Sequence, residues 1–284
     1  MLALILAIFC SASMTLALKR FRTQDGNRYG ILVGNYLTCI LIAVLSLPDK
    51  RLIWAGHVSS LGFGILGGVF FVAALVAMQT SVRINGATLT AAFAKLGLTV
   101  TLLVSILWFR ERPGVVQLIG IVLVFAALLI LHGRKDNAEQ AAGKASVPLL
   151  LLTLLLSGCA DSMAKVFEEL GDAHENVLYF FWVFLIAGIL AAILALAEYL
   201  RTKKKIRLKE LAAGIVVGVP NYYSSYLLLI ALRKLPALVT YPVYSTGTIL
   251  LVFLCSVLFF RERLSRRQLC GISLILAALV LLNL

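Results

Sequence analysis

The chain has 284 residues, of which 61% are hydrophobic and only 14% are charged, and its formal net charge is +13. Soluble domains carry about 25% charged residues, so this composition excludes an ordinary soluble domain and indicates a membrane protein. The basic residues form short clusters between apolar blocks, at 19–22, 201–209 and 261–267. Such clusters are typical of loops at an anionic, cytoplasmic membrane surface, so nucleic acid is not an expected partner.

Ten apolar blocks of membrane-spanning length follow one another along the chain. A bilayer core of about 30 Å requires roughly 20 apolar residues per helix. The blocks lie near residues 1–18, 29–47, 59–81, 84–109, 114–132, 147–167, 176–199, 211–232, 236–260 and 267–284. The first block has its basic residues after the apolar run, unlike a signal peptide, so we expect it to be retained. The sequence therefore predicts an all-α integral membrane protein with ten transmembrane helices.

The second half of the chain repeats the first. Aligned from Leu107 and Leu258, 13 of 22 positions are identical, and further matches occur at an offset of 150 residues. A polar linker, 133–146, separates a first five-helix repeat over 1–132 from a second over 147–284. Because each repeat has an odd number of spans, the second must enter the membrane from the opposite side. The sequence predicts two inverted repeats, an arrangement found in many secondary transporters.

The distribution of Lys and Arg predicts the orientation. Loops after odd-numbered spans hold 18 basic residues and loops after even-numbered spans hold 7. Since positive loops stay in the cytoplasm, we expect both termini outside it, in a multi-pass protein of the plasma (inner) membrane.

Each repeat carries an Arg-Glu-Arg turn followed by a Gln-Leu-x-Gly helix, namely 110–112 with 117–120, and 261–263 with 268–271. Two five-helix repeats with these motifs resemble the drug/metabolite transporter superfamily, and within it the EamA-like branch of ten-helix carriers. The resemblance covers nearly the whole chain. It implies export or exchange of small organic solutes by alternating access, through a central cavity lined by spans 1–4 and 6–9.

Two features depart from that pattern. The small four-helix multidrug relatives carry a membrane-buried glutamate in the first span, where this chain has Ser11, Ser13 and Thr15. Because this chain lacks that glutamate, the resemblance does not imply the proton–drug exchange chemistry of those relatives. Ten-helix members are also usually drawn with both termini inside, whereas the charge distribution here predicts both outside.

Lys95 lies near the middle of the fourth predicted span, where a cation costs about 2.5–3.5 kcal/mol. It must face a wet cavity or a partner. Its equivalent in the second repeat is Ser245, so the fold itself does not require the charge. Either Lys95 binds an anionic group of a substrate, or it is a structural partner of Asp161 or a snorkelling side chain.

Asp161 is the one carboxylate that the sequence places well inside a predicted span. It can serve as a proton site, as a counter-ion to Lys95 or as an anchor for a substrate amine. The alternative is an ion pair with Lys165, one helical turn away, at the membrane edge.

Hydroxyl-bearing aromatic residues are concentrated in spans eight and nine. Tyr222 and Tyr226 share one helix face, as do Tyr241 and Tyr244, and polar neighbours complete the candidate substrate site, namely Asn221 and Ser245. A binding site lined by tyrosine rings suits flat, partly apolar or cationic solutes. The alternative is hydrogen bonding of these tyrosines between helices or at the membrane interface.

Glycine and proline predict packing and gating. Gly64 with Gly68, and Gly214 with Gly218, have the spacing that lets helices approach closely. Pro220 removes a backbone hydrogen bond within span eight, where a kink can gate one side. The repeated Arg-Glu-Arg turns are expected to cap their hairpins and contact lipid headgroups.

The predicted function is secondary active transport, by alternating access, of a small organic metabolite or drug bound at the membrane midplane between the repeats. The sequence has no HExxH motif, no paired carboxylate within a span and no P-loop, so we expect no catalysis and no cofactor. The expected partners are a small organic solute and the lipid bilayer, with proton or ion coupling and oligomeric state left open. The alternative is a non-transporting membrane scaffold or lipid-handling protein whose polar groups only join helices.

Overall fold

A computed structural model describes residues 1–21, 27, 29–51, 53, 58–85, 90, 93–94, 97–132 and 146–260, together with 270, 273–274, 277–278 and 280–281. Within these ranges the chain forms α-helices, one short 3-10 helix and connecting turns, and no strand. Four sequence predictions fall wholly or largely outside the described residues: Lys95, the polar linker, the second Arg-Glu-Arg turn and the tenth span.

The described helices follow the predicted spans, with ends that differ by a few residues. They are α1 (Leu2–Arg20), α2 (Gly30–Ser46), α3 (Val58–Asn85), α4 (Leu98–Leu107), α5 (Val115–His132), α6 (Val147–Leu170), α7 (Asn176–Thr202), α8 (Leu208–Leu232) and α9 (Ala237–Phe260), with the 3-10 helix Ala173–Glu175 before α7.

Length and composition identify the helices that can cross a membrane. Within the described ranges, four segments are long and apolar enough: Ser59–Met78, Val147–Leu170, Ala173–Thr202 and Leu208–Leu232. Shorter apolar helices cover Leu2–Ala17, Gly30–Ser46, Leu98–Leu107 and Ala237–Val252. A multi-pass, helical membrane protein is thus confirmed, while the count of ten spans stays a prediction.

The helix that contains the third predicted span continues beyond the end of that span. The sequence places a break after residue 81, whereas α3 continues to Asn85. The side chain of Asn85 donates to the Ser81 hydroxyl at 3.0 Å and accepts from the Ser146 backbone N–H at 2.6 Å, which ties the helix end in place. The basic residue Arg83 suggested a loop, although Asn followed by Gly is the stronger signal for a helix end.

The chain folds into two compact units, and each unit combines segments from both sequence halves. The first unit consists of Met1–Val72 and Val166–Arg233, and the second of Ala73–Lys165 and Lys234–Leu284. In the first unit α2 packs on α7 and α8, and α1 packs on α8. In the second unit α9 packs on α4 and α5.

In the first unit, glycines set the close crossing of α2 and α8. A Cβ added to Gly214 would lie 2.6 Å from the Cα of Gly34 and 2.7 Å from the backbone nitrogen of Asn35. A Cβ on Gly218 would lie 2.7 Å from the Asn35 carbonyl oxygen. Because these neighbours are backbone atoms, the helices can approach this closely only where both carry glycine.

Gly64 and Gly68 on α3 make a similarly close contact with α7. A Cβ on Gly64 would collide with the Trp182 side chain, and one on Gly68 would lie 2.7 Å from the Val183 carbonyl oxygen. The prediction that both glycine pairs mark close helix crossings is therefore confirmed.

Candidate functional site

The structure brings two predicted site residues together in the second unit. The Tyr241 hydroxyl on α9 donates a 2.8 Å hydrogen bond to the backbone carbonyl of Asp161 on α6. Tyr241 is buried, whereas Asp161 is exposed even though α6 is long and apolar enough to span a membrane. Tyr244 and Ser245, on the next turn of α9, are half-buried. Asp161 therefore lies on a helix that can span a membrane, next to the hydroxyl-bearing face of α9.

Glu111 is the central polar group at the start of α9. Its Oε1 accepts from the Ala237 backbone N–H at 3.2 Å, and its Oε2 accepts from the Leu238 N–H at 3.1 Å. A carboxylate at this position satisfies two N–H groups that have no partner within the helix, and it interacts favourably with the helix dipole. Glu111 therefore joins the turn after α4 to a helix of the second sequence half.

Lys165 completes this arrangement from α6. Its Nζ lies 3.0 Å from Glu111 Oε1 and 5.5 Å from the centroid of the Phe109 ring. The two charged side chains are 4% and 15% exposed. Such a pair is well shielded from water, so removing one partner is costly.

The backbone turn before Glu111 explains how it reaches α9. Arg110 adopts a left-handed conformation with φ of 55°. The N–H of Glu111 then donates to the Ser105 carbonyl at 3.1 Å, which closes the end of α4. The sequence predicts that this turn caps its own hairpin and meets headgroups. The backbone of Glu111 does cap its own hairpin, whereas its side chain caps α9 instead. Contact with headgroups stays a prediction.

In the first unit, Asn221 lies in a polar contact between α2 and α8. Its amide nitrogen donates to Asn35 Oδ1 at 3.1 Å and lies 3.8 Å from the Cys39 sulfur. The Cys39 thiol in turn donates to the Gly218 carbonyl at 3.3 Å. Asn35 and Cys39 are buried, and Asn221 is half-buried. The close glycine crossing thus carries a small polar network.

Tyr222 and Tyr226 belong to an aromatic cluster in the same unit. Their rings stack with centroids 6.0 Å apart, and Phe180 meets both from α7 at 6.4 and 6.3 Å. Tyr222 is 1% exposed, so its ring is part of the packed core in this conformation, whereas Tyr226 is half-buried. Pro220 lies inside α8, which continues from Leu208 to Leu232.

The predicted site residues are divided between the two units. Asn221, Tyr222 and Tyr226 lie in the first unit, and the second contains four others, namely Asp161, Tyr241, Tyr244 and Ser245. Among the described side chains, no group of three His, Cys, Asp or Glu is arranged to hold a metal ion.

Sequence reasoning missed three residues that the structure makes prominent. Asn35 is a single amide in an apolar run, and Cys39 gives no signal by itself. Glu111 had a usable signal, because its turn recurs in both repeats and a repeated carboxylate is a better helix cap than a headgroup contact.

Comparison with known proteins identifies the family to which the chain belongs. The model of the EamA-like transporter family matches it over residues 1–132 and again over 145–284. No curated protein sequence matches. Among 28 matching chains of solved structures is one titled "Crystal structure of protein". It covers 100% of this chain and 97% of its own, at 15% identity and a TM-score of 0.69, which shows a shared fold alone. The family matches span nearly the whole sequence, and the chain therefore belongs to the EamA-like transporter family of the drug/metabolite transporter superfamily.

Proposed function

We propose that the chain is a secondary active transporter that exports or exchanges a small organic metabolite or drug by alternating access. In this proposal two inverted five-helix repeats, over 1–132 and 147–284, hold the solute near the membrane midplane, and both termini lie outside the cytoplasm. It is a carrier of the plasma membrane and not an enzyme. The candidate substrate-binding residues are Lys95, Asp161, Asn221, Tyr222, Tyr226, Tyr241, Tyr244 and Ser245.

The observation that carries the proposal is an exposed Asp161 on a membrane-spanning helix, held beside Tyr241 by a 2.8 Å hydrogen bond to its backbone. A carboxylate facing hydrocarbon costs roughly 2.5–3.5 kcal/mol at mid-span. An exposed Asp161 on α6 is therefore best explained by a water-filled surface. Intramembrane ionisable residues of this kind mark substrate and ion pathways.

The chemistry of this surface favours a solute with a basic group. The Asp161 carboxylate can bind an amine or carry a proton, and Tyr244 lies on the same helix face as Tyr241, one turn along α9. Aromatic rings attract cations through their π faces. Lys95, whose charge is not required by the fold, is the candidate for an anionic group on the same solute.

The test is transport by the full chain in proteoliposomes. A thermal-shift screen of amino acids, nucleosides, organic acids and quaternary amines first selects the solute that raises the melting temperature most. Counterflow of that solute is then measured for the wild type, Asp161→Asn, Tyr244→Phe and Lys95→Ala. We expect at least a tenfold loss of counterflow for Asp161→Asn, because one good charged contact corresponds to about 1.4 kcal/mol or more.

Two controls separate a carrier from a scaffold. Asp49→Asn makes the same chemical change in an exposed turn after α2 and should leave counterflow unchanged. Melting temperatures of all variants report folding. Loss of counterflow with an unchanged melting temperature supports the carrier. Loss of folding without any solute-dependent flux in the wild type would favour the scaffold, whose polar groups only join helices.

A further inference from the structure

An apolar groove lies in the first unit between the beginning of α2 and the end of α7. Its volume is about 350 Å³, within the range of small-molecule sites, and its walls are almost wholly apolar. Val33 contributes from α2, and α7 contributes Ala192, Leu196 and Tyr199. Leu196 is 57% exposed, as expected of a residue that faces lipid tails. The groove therefore has the character of an acyl-chain site.

A buried, hydrogen-bonded asparagine forms part of the groove lining. Asn27 is 1% exposed, and its side-chain nitrogen donates to the Ala195 carbonyl at 2.8 Å. The same nitrogen lies 3.4 Å from the Lys204 carbonyl, while the Asn27 side-chain oxygen accepts from the Tyr29 N–H at 3.0 Å. A buried amide with these partners fixes Asn27 against α7 and the segment that follows α7, so this part of the groove lining is well ordered by hydrogen bonds.

A segment with a dense positive charge adjoins the groove. Lys205 lines it directly. The segment 201–209 contains six basic residues and no acidic one, and all six are exposed: Arg201, Lys203, Lys204, Lys205, Arg207 and Lys209. Lys203 Nζ lies 6.0 Å from the centroid of the Tyr199 ring, an aromatic residue of the kind found at headgroup depth.

The nearest acid in sequence does not cancel this charge. Glu210 is 1% exposed and accepts from the Arg207 backbone N–H at 3.1 Å, within a capping box at the start of α8. Its carboxylate packs toward Gly30 and does not line the groove. The other acid close in sequence is Glu198, half-buried on α7, so the exposed segment 201–209 itself carries six positive charges and no negative one.

We propose that this groove binds an anionic phospholipid of the surrounding bilayer, with an acyl chain along Val33, Ala192 and Leu196 and its phosphate at Lys204 and Lys205. An apolar groove suits an acyl chain, and clustered Lys and Arg beside a spanning helix attract anionic headgroups. The lipid is a bound component of the carrier and is separate from the transported solute.

The test measures lipid binding to the full chain in detergent, with native mass spectrometry as the readout. Phosphatidylglycerol and phosphatidylcholine with identical acyl chains are titrated separately. We expect phosphatidylglycerol to bind about 25-fold more tightly, since each of the two lysines at the headgroup contributes roughly a fivefold preference. Lys204→Gln combined with Lys205→Gln should abolish that preference. Lys50→Gln with Arg51→Gln removes the same charge from the turn after α2 and should preserve it.

A second pair of variants tests the apolar channel. Ala192→Phe fills the groove and should weaken binding of both lipids, whereas Ala197→Phe adds the same ring at an exposed position of α7 outside the groove lining and should not. Equal affinity of the wild type for the two lipids would overturn the proposal, as would unchanged binding after Ala192→Phe. Displacement of phosphatidylglycerol by free glycerol phosphate at similar affinity would also overturn it, because the site would then bind phosphate without any contribution from the acyl chain. Solute counterflow does not enter this test, so its outcome is independent of the proposed transport.

Discussion

Lys165 and Glu111 form an ion pair at 3.0 Å that joins α6 to the turn after α4. The same carboxylate accepts from two backbone N–H groups at the start of α9. One side chain thus holds three parts of the second unit, and these parts come from both halves of the sequence. The arrangement relies on a charged acceptor, because a neutral one gives a weaker bond to each donor.

Glu111→Gln should therefore destabilise the protein by about 2–3 kcal/mol, since charge-assisted hydrogen bonds contribute roughly 1.5–3 kcal/mol. The measurement is the free energy of unfolding in detergent, together with a double-mutant cycle that includes Lys165→Met. We expect the two changes to be non-additive by at least 1 kcal/mol because the residues are in direct contact. Arg112→Gln, an exposed neighbour in the same turn, is the control. Additive effects would contradict the proposed coupling.

The close crossing of α2 and α8 predicts a sharp contrast between two glycines. Gly214→Ala places a methyl group against the Gly34 backbone and should cost about 1–3 kcal/mol, the usual range for overpacking. Gly62→Ala, on α3, meets nothing within 4 Å and should cost nothing. The melting temperatures of the two variants in one detergent provide the measurement. A Gly62→Ala variant that melts as low as Gly214→Ala would refute this account of the crossing.

The hydrogen bond between Asn221 and Asn35 should contribute little to stability. Interhelical hydrogen bonds in membrane proteins average about 0.6 kcal/mol and reach about 1.7 kcal/mol. We expect Asn221→Ala to lower the free energy of unfolding within that range, with Asn35→Ala adding little more. A double-mutant cycle of the two residues measures the coupling energy. A coupling above 3 kcal/mol would show that the amides are primarily structural and would weaken Asn221 as a substrate ligand.

The orientation of the chain can be tested directly. The bias of basic residues predicts that both termini lie outside the cytoplasm. A fluorescent protein that folds only in the cytoplasm, fused after Leu284, should remain dark, while an alkaline phosphatase fused at the same position should be active. A reporter inserted after Lys204, in the basic segment before α8, is the internal control and should give the opposite pair of signals. Cytoplasmic fluorescence at Leu284 would contradict the charge distribution.

The sequence predicted the helical fold well because its signals are long and redundant. Apolar blocks of membrane length fix most helix ends to a few residues, and recurrent glycines correctly marked the crossings at Gly34–Gly214 and Gly68–Val183. Asn85 illustrates the limit: apolar blocks locate membrane spans, whereas the helix α3 continues four residues past the predicted end of its span.

Side-chain partners were harder to predict because they depend on contacts between distant segments. The sequence offered Asp161 as a partner for Lys165 from helical spacing, but it contained no signal for the ion pair that Lys165 makes with Glu111, 54 positions away. Tyr222 and Tyr226 stack on one helix face as predicted, but their contact with Phe180 from another helix had no signal in the sequence. Local periodicity contains no information about such neighbours. The assignment of the substrate-binding residues stays a prediction.

The assembly of each unit from early and late parts of the chain has a consequence for biosynthesis. α2 enters the membrane before its partner α8, which begins only at Leu208, has been made. At a synthesis rate of about 5–20 residues per second, the delay is on the order of ten seconds. During that interval the glycine face of α2 borders lipid or the insertion machinery. Nascent chains of this carrier must therefore persist in the bilayer as incomplete molecules, and quality-control proteases have their best opportunity to degrade them at that stage.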